Sequence, residues 1–169
     1  MEKTSVLFVC SGPGVRGRIA EAFLNQIAPD YFVASSAQFE EREGNLPPFI
    51  VKLMSEIGLV VESTFPKSVF QRYKDNESYD YVITLCNAHT NGICPIFKRN
   101  VKALYQKEAE RLSWSIPDFR SLGELEEAKR MDGAREIRDL IASEVKAFVS
   151  MAGASNQKLA DLHTPTDLS

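Results

Sequence analysis

The chain is poor in cysteine, histidine and tryptophan, with three, two and one of them among 169 residues, and it has no long apolar run. Three cysteines, an odd number, suit a reducing compartment and reactive thiols better than a disulfide scaffold. No stretch approaches the roughly 20 apolar residues of a membrane-crossing helix, so no membrane association is expected. Met1-Glu2-Lys3-Thr4 leads directly into a strand pattern without the marks of a signal peptide, and a soluble, cytoplasmic protein is expected. Positive charge is not in excess either. Lys and Arg number 20 against 23 Asp and Glu, a net charge of −3, which argues against nucleic acid as a partner.

What the chain does have is enough apolar residues, 44% of the total, for one core of about 150 residues. A single domain over 1–151 is expected, acting as a monomer. Residues 152–169, where Ser, Asn, Thr and Pro are interspersed, read as a disordered tail.

The most informative stretch is 5–18. The apolar run 6–9 predicts a buried strand that ends in a loop made of Cys10, Ser11, Gly12, Pro13, Gly14, Val15 and Arg16. Beyond it, Ile19, Ala20, Phe23, Leu24 and Ile27 recur at helical spacing. A loop of this size between a strand and a helix N-terminus suits a tetrahedral oxyanion, because the helix presents N–H groups and partial positive charge to it. Arg16 can fork two donors onto the same anion, and both features favour the thiolate of Cys10, a competent nucleophile.

Further along, 31–35 predicts a second strand, and 39–45 a charged, solvated connection. Pro47-Pro48 opens a helix whose stripe is Phe49, Ile50, Leu53, Met54 and Ile57, stopped by Gly58. Residues 67–73 add a short turn of helix, and 79–85 is the clearest later strand. From Leu122 to about Met151 an amphipathic helix buries Ala134, Ile137, Leu140, Ile141, Val145 and Phe148. This alternation predicts an α/β domain, a parallel sheet of about four strands with helices on both faces and ligand sites beyond the strands' carboxyl ends. Cys10 and Cys86 both stand at such ends and should share one rim.

Cys86 and Cys94 flank a polar segment containing His89. Through a mobile loop the two sulfurs could meet, and a metal pair is a second possibility. Two cysteines and one histidine lack a fourth zinc ligand, so no metal and no cofactor are expected.

Val-Leu-Phe-Val-Cys-Ser-Gly, with Arg16 and then Ile-Ala-Glu, resembles the low-molecular-weight protein tyrosine phosphatases and the arsenate reductases built on the same fold. Ser36-Ala37, 51–58, 82–86, Cys94-Pro95, Trp114 and Arg138-Asp139 follow in family order, so the likeness covers about 4–149. It implies a three-layer domain and a loop, Ser11 through Gly17, that binds the oxyanion. Two positions depart from the pattern. Pro13 stands where the family has Asn, and it offers no N–H. Gly17 stands where the family has Ser or Thr, so no hydroxyl reaches the thiolate; Cys10 should be less acidic for it, with Arg18 partly offsetting the loss.

The likeness also assigns roles. Asp118, in a segment similar to the one carrying the family's general acid, would protonate a leaving oxygen; otherwise it is a turn or capping aspartate. Cys86 and Cys94 are similar to the resolving cysteines of the thioredoxin-coupled arsenate reductases, with one residue more between them. The leading expectation is therefore arsenate reduction with thioredoxin as reductant. The alternatives are phosphotyrosine hydrolysis through a cysteinyl-phosphate, and a weakly active relative that only binds an oxyanion.

Overall fold

A strand that is apolar at successive positions must be covered on both faces, and β1 (Thr4–Cys10) is buried from Val6 to Cys10. The computed structural model describes residues 2–10, 14–39, 41–86 and 109–163. After β1 come α1 (Val15–Ile27), β2 (Phe32–Gln38), α2 (Pro48–Ser55), α3 (Val69–Lys74), β3 (Tyr81–Cys86), β4 (Glu110–Ser115), a 3-10 turn (Phe119–Leu122) and α4 (Glu127–His163). The strands form one sheet in the order β2-β1-β3-β4, and every neighbouring pair is parallel.

Alternate side chains of β1 enter two different layers. Val6, Phe8 and Cys10 pack with Ile19 and Leu24 of α1, Ile50 and Leu53 of α2, and Ile141 and Val145 of α4. Leu7 and Val9 pack on the other face with Val82 and with Val69 of α3. The protein is thus a single α/β domain with three layers, as the alternation of elements predicts.

The chain leaves β1 toward β2 on one side and returns to β3 on the other. A crevice therefore forms outside the carboxyl ends of β1 and β3, where strand order reverses. Cys10 lies opposite Gln38 of β2 and Leu85 of β3, at that crevice.

Several boundaries differ from expectation for tertiary reasons. β2 reaches Gln38 because Ser36, Ala37 and Gln38 are held in register against Phe8, Val9 and Cys10, whatever their modest strand preference. The last helix does not begin at Leu122: Gly123, at φ 49°, ends the 3-10 turn and α4 starts at Glu127. Within the expected stripes, Leu140 is 38% and Ile57 42% exposed; α2 has already ended at Ser55 and Gly58, at φ 76°, redirects the chain. α4 continues as helix to His163, twelve residues past the expected end of the domain at 151, its stripe extended by the buried Ala152. Residues 164–169 lie outside the described residues.

Candidate active site

Cys10 closes β1 and is 1% exposed, and its Sγ accepts the backbone N–H of Gly17 at 3.0 Å. That bond exists because Gly14 turns the chain with φ 78° and ψ 10°, so that α1 begins pointing its first amides at the sulfur. An added Cβ at Gly14 would lie 2.6 Å from Cγ of Pro66 as well as straining φ. Gly14→Ala should therefore cost on the order of 1–3 kcal/mol in urea unfolding and weaken anion binding, since α1 must shift away from Cys10.

Arg16, in the first turn of α1, is 3% exposed. Its Nη1 donates to the carbonyl of Ile116 at 2.6 Å, and its Nη2 is 3.6 Å from Oδ2 of Asp118. Asp118, 9% exposed, caps the 3-10 turn: Oδ1 accepts the Arg120 N–H at 2.9 Å, and its carbonyl accepts from Ser121. The structure thus brings together Cys10, Arg16 and Asp118 at one cleft.

Electrostatics set opposite tendencies at the two acids. Burial pushes the Cys10 thiol above its ordinary value; the Arg16 charge and the Gly17 and Arg16 amides pull it down, while Asp118 adds to the rise. Burial also pushes Asp118 up, but hydrogen bonds from Arg120 and the charges of Arg16 and Arg120 hold its carboxyl below the usual range. Before any anion binds, the site is therefore a thiol beside a carboxylate.

Gly17 gives this a direct test. A Cβ there would stand 3.7 Å from Sγ, with 3.3 Å to the Phe8 carbonyl and 3.4 Å to Cβ of Ser36, a tight but helical position. Gly17→Ser should put a hydroxyl beside the sulfur and lower, by about one unit, the pH at which iodoacetamide alkylates Cys10. An unchanged alkylation profile would show that the missing hydroxyl does not matter.

Arg18 does not support the thiolate as expected. Its Nε donates to the Thr64 carbonyl at 3.0 Å and its Nη1 pairs with Glu21 at 3.0 Å. Two positions along a helix is about 200° of rotation, so Arg16 and Arg18 face opposite sides. Cys86 ends β3, is 8% exposed, and shares the rim with Cys10. Ile83 and Leu85 lie in the layer of Cys10, whereas Val82 lies in the other; alternation thus assigns Cys86 to the face opposite Cys10. Ser11, Gly12, Pro13, Cys94 and the zinc possibility involving His89 fall outside the described residues.

The sequence did not reveal the rest of the cleft, about 350 Å³ in volume. Phe49, Phe65, Phe119 and Pro47 form an apolar wall facing Cys10 and Arg16, with Arg42, Arg120 and Arg130 around it. Phe49 reads as an ordinary core residue from its spacing, and Arg42 as part of a solvated connection. No local pattern announces a wall built from α2, the segment before α3 and the 3-10 turn.

Residues 5–162 match the family model for the low molecular weight phosphotyrosine protein phosphatases. The chain belongs to that family. Within the family, it is 28% identical over 148 residues to an arsenate reductase of Halalkalibacterium halodurans, covering 88% of this chain and 96% of the relative. An arsenate reductase of Bacillus subtilis is similar to the same degree, 28% over 148 residues, with the same coverage. The solved arsenate reductase of Archaeoglobus fulgidus superposes with a TM-score of 0.61 at 25% identity, over 86% of this chain and 98% of that one. A tyrosine phosphatase of Erwinia amylovora shares the fold, with a TM-score of 0.64 at 14% identity, over 89% and 93% of the two chains. Arsenate reductases and tyrosine phosphatases are both enzymes. Among the described residues, no helix is long and apolar enough to cross a membrane.

Proposed function

We propose that the protein is an arsenate reductase in which Cys10 is the nucleophile and Cys86 and Cys94 carry the oxidation away. The observation that carries this reading is the second thiol, Cys86, at the end of the strand next to the one that ends in Cys10. Ester hydrolysis has no use for it.

Arsenate binds as HAsO4 dianion between Arg16 and the amides of the Ser11–Gly17 loop. The Cys10 proton moves to one arsenate oxygen, the sulfur attacks arsenic, and the hydroxyl oxygen leaves as water with a proton that Asp118 has taken from solvent, giving a Cys10–S–As(V) adduct. The Cys86 thiolate then attacks the Cys10 sulfur. The S–As electron pair stays on arsenic, which departs as arsenite, As(III), and a Cys10–Cys86 disulfide remains. Cys94 attacks Cys86, which releases Cys10 as a thiolate, and an external dithiol of the thioredoxin kind reduces the Cys86–Cys94 bond. Because Cys86 starts on the opposite face of the sheet, the end of β3 must turn before the second step, so thiol transfer is slower than the first attack.

A second reading, phosphotyrosine hydrolysis, is supported by the wall of Phe49, Phe65 and Phe119, which an aryl ester would fill and arsenate would not. It uses Cys10, Arg16 and Asp118 alone. Turnover of arsenate with thioredoxin, thioredoxin reductase and NADPH, measured beside turnover of para-nitrophenyl phosphate, separates the two. NADPH oxidation dependent on arsenate supports the reductase; ester turnover without it moves the phosphatase to first place.

A further inference from the structure

Asp118 is clamped from a direction that the chemistry of Cys10 does not require. Besides its backbone N–H, Arg120 donates Nε to Oδ2 at 3.1 Å and Nη2 to the same oxygen at 2.8 Å. The Asp118 carboxylate is nearly buried, its side chain 13% exposed, while that of Arg120 is 68% exposed and lines the same cleft as Cys10 and Arg16. Among the described charged residues lining the cleft, Asp118 is the acid; Arg16 from α1, Arg120 from the 3-10 turn, Arg130 from α4 and Arg42 from the 39–45 connection are cations, with Cys10 at the floor. α2 contributes only Phe49 and Ile50 to this lining.

We propose that Arg120 is a positioning residue acting through Asp118: it holds the carboxylate as an anion until an oxyanion at Cys10 and Arg16 draws the arginines off, and Asp118 then takes up the proton it will donate. The proposal rests on the reading of Cys10 and Arg16 as an oxyanion site. A dianion beside Asp118 adds like charge, and the donors of Arg16 and Arg120 turn to it, so both changes favour the protonated carboxyl. The Arg120 side chain is mostly solvated and lines the cleft beside Asp118, so it can turn its donors from the carboxylate to an anion bound there. One proton passes from solvent to Asp118 on binding, and from Asp118 to the leaving oxygen in the reaction. The arrangement loads the acid only when there is a leaving group to protonate.

Two measurements on the whole protein test this. In the first, the Asp118 carboxyl is followed by carbon NMR against pH with no anion present, its signal assigned by its loss in Asp118→Asn. The midpoint should rise by about one unit or more in Arg120→Ala and less in Arg120→Lys, which keeps the charge but not the fork. Equal midpoints in wild type and Arg120→Ala would overturn the proposal.

In the second, sulfate, a tetrahedral dianion that does not titrate in the range, is bound calorimetrically at pH 5–6 in buffers of different ionisation enthalpy. Cys10 is already protonated there, so uptake reports Asp118. Wild type should take up a fraction of a proton, Asp118→Asn none, and Arg120→Ala less than wild type. Sulfate binding with no uptake, or with uptake unchanged in Arg120→Ala, overturns the role of Arg120 and leaves the oxyanion site standing. Failure of sulfate to bind wild type would instead overturn the oxyanion site and the proposal with it.

Discussion

Replacing Cys10 by serine should lower arsenate reduction and aryl-phosphate hydrolysis alike by at least about 1,000-fold, because an alcohol is a far weaker nucleophile at neutral pH. The Gly17 amide, 3.0 Å from Sγ, can still bond a hydroxyl, so the loss should come without a loss of fold. Arg16→Lys should cost about 100-fold or more, since a single ammonium cannot reproduce a fork held by the Ile116 carbonyl and aimed across the cleft. Lysine is also shorter in its donor set, so the Ile116 carbonyl and the anion would compete for one group. Steady-state rates on both substrates, with circular dichroism to verify folding, check this. Should Cys10→Ser keep a tenth of either activity, the nucleophile lies elsewhere.

Replacing Cys86 by serine should confine arsenate chemistry to a single attack. No thiol then reaches the Cys10 adduct, and thioredoxin-linked turnover should fall to background while para-nitrophenyl phosphate hydrolysis stays within about twofold of wild type. Cys94→Ser should stall one step later, as a Cys10–Cys86 disulfide detectable by peptide mapping after one equivalent of arsenate. In wild type that equivalent should consume two thiols, and thioredoxin should restore all three. If the variant lacking both Cys86 and Cys94 reduces arsenate with thioredoxin as fast as wild type, the relay is wrong.

Expected and observed elements agree best where the signal is local. Val6 to Val9 are apolar at every position because both faces of β1 are covered, and Ile19, Ala20, Phe23 and Leu24 repeat at the helical period because one face of α1 is. A chain that carries both periods in sequence, joined by a Gly-rich loop, declares the Cys10–Arg16 unit by itself. Asp118 was legible only through likeness to a family, since an isolated aspartate after a proline equally suits a cap, and here it is also one.

The amino-acid sequence by itself determined the element types, the parallel sheet and the pairing of a thiol with an arginine at a helix start, all set by residues within about 20 positions of one another. Only the tertiary structure decided the strand order that sets Cys86 beside Cys10 yet on the other face. It also extended β2 to Gln38, turned Arg18 to Glu21, walled the cleft with Phe49, Phe65 and Phe119, and closed Arg120 onto Asp118. These contacts join distant segments or depend on which way a side chain faces once its element is packed. Their energies come from burial and geometry that exist only after the layers assemble, so no short-range pattern encodes them.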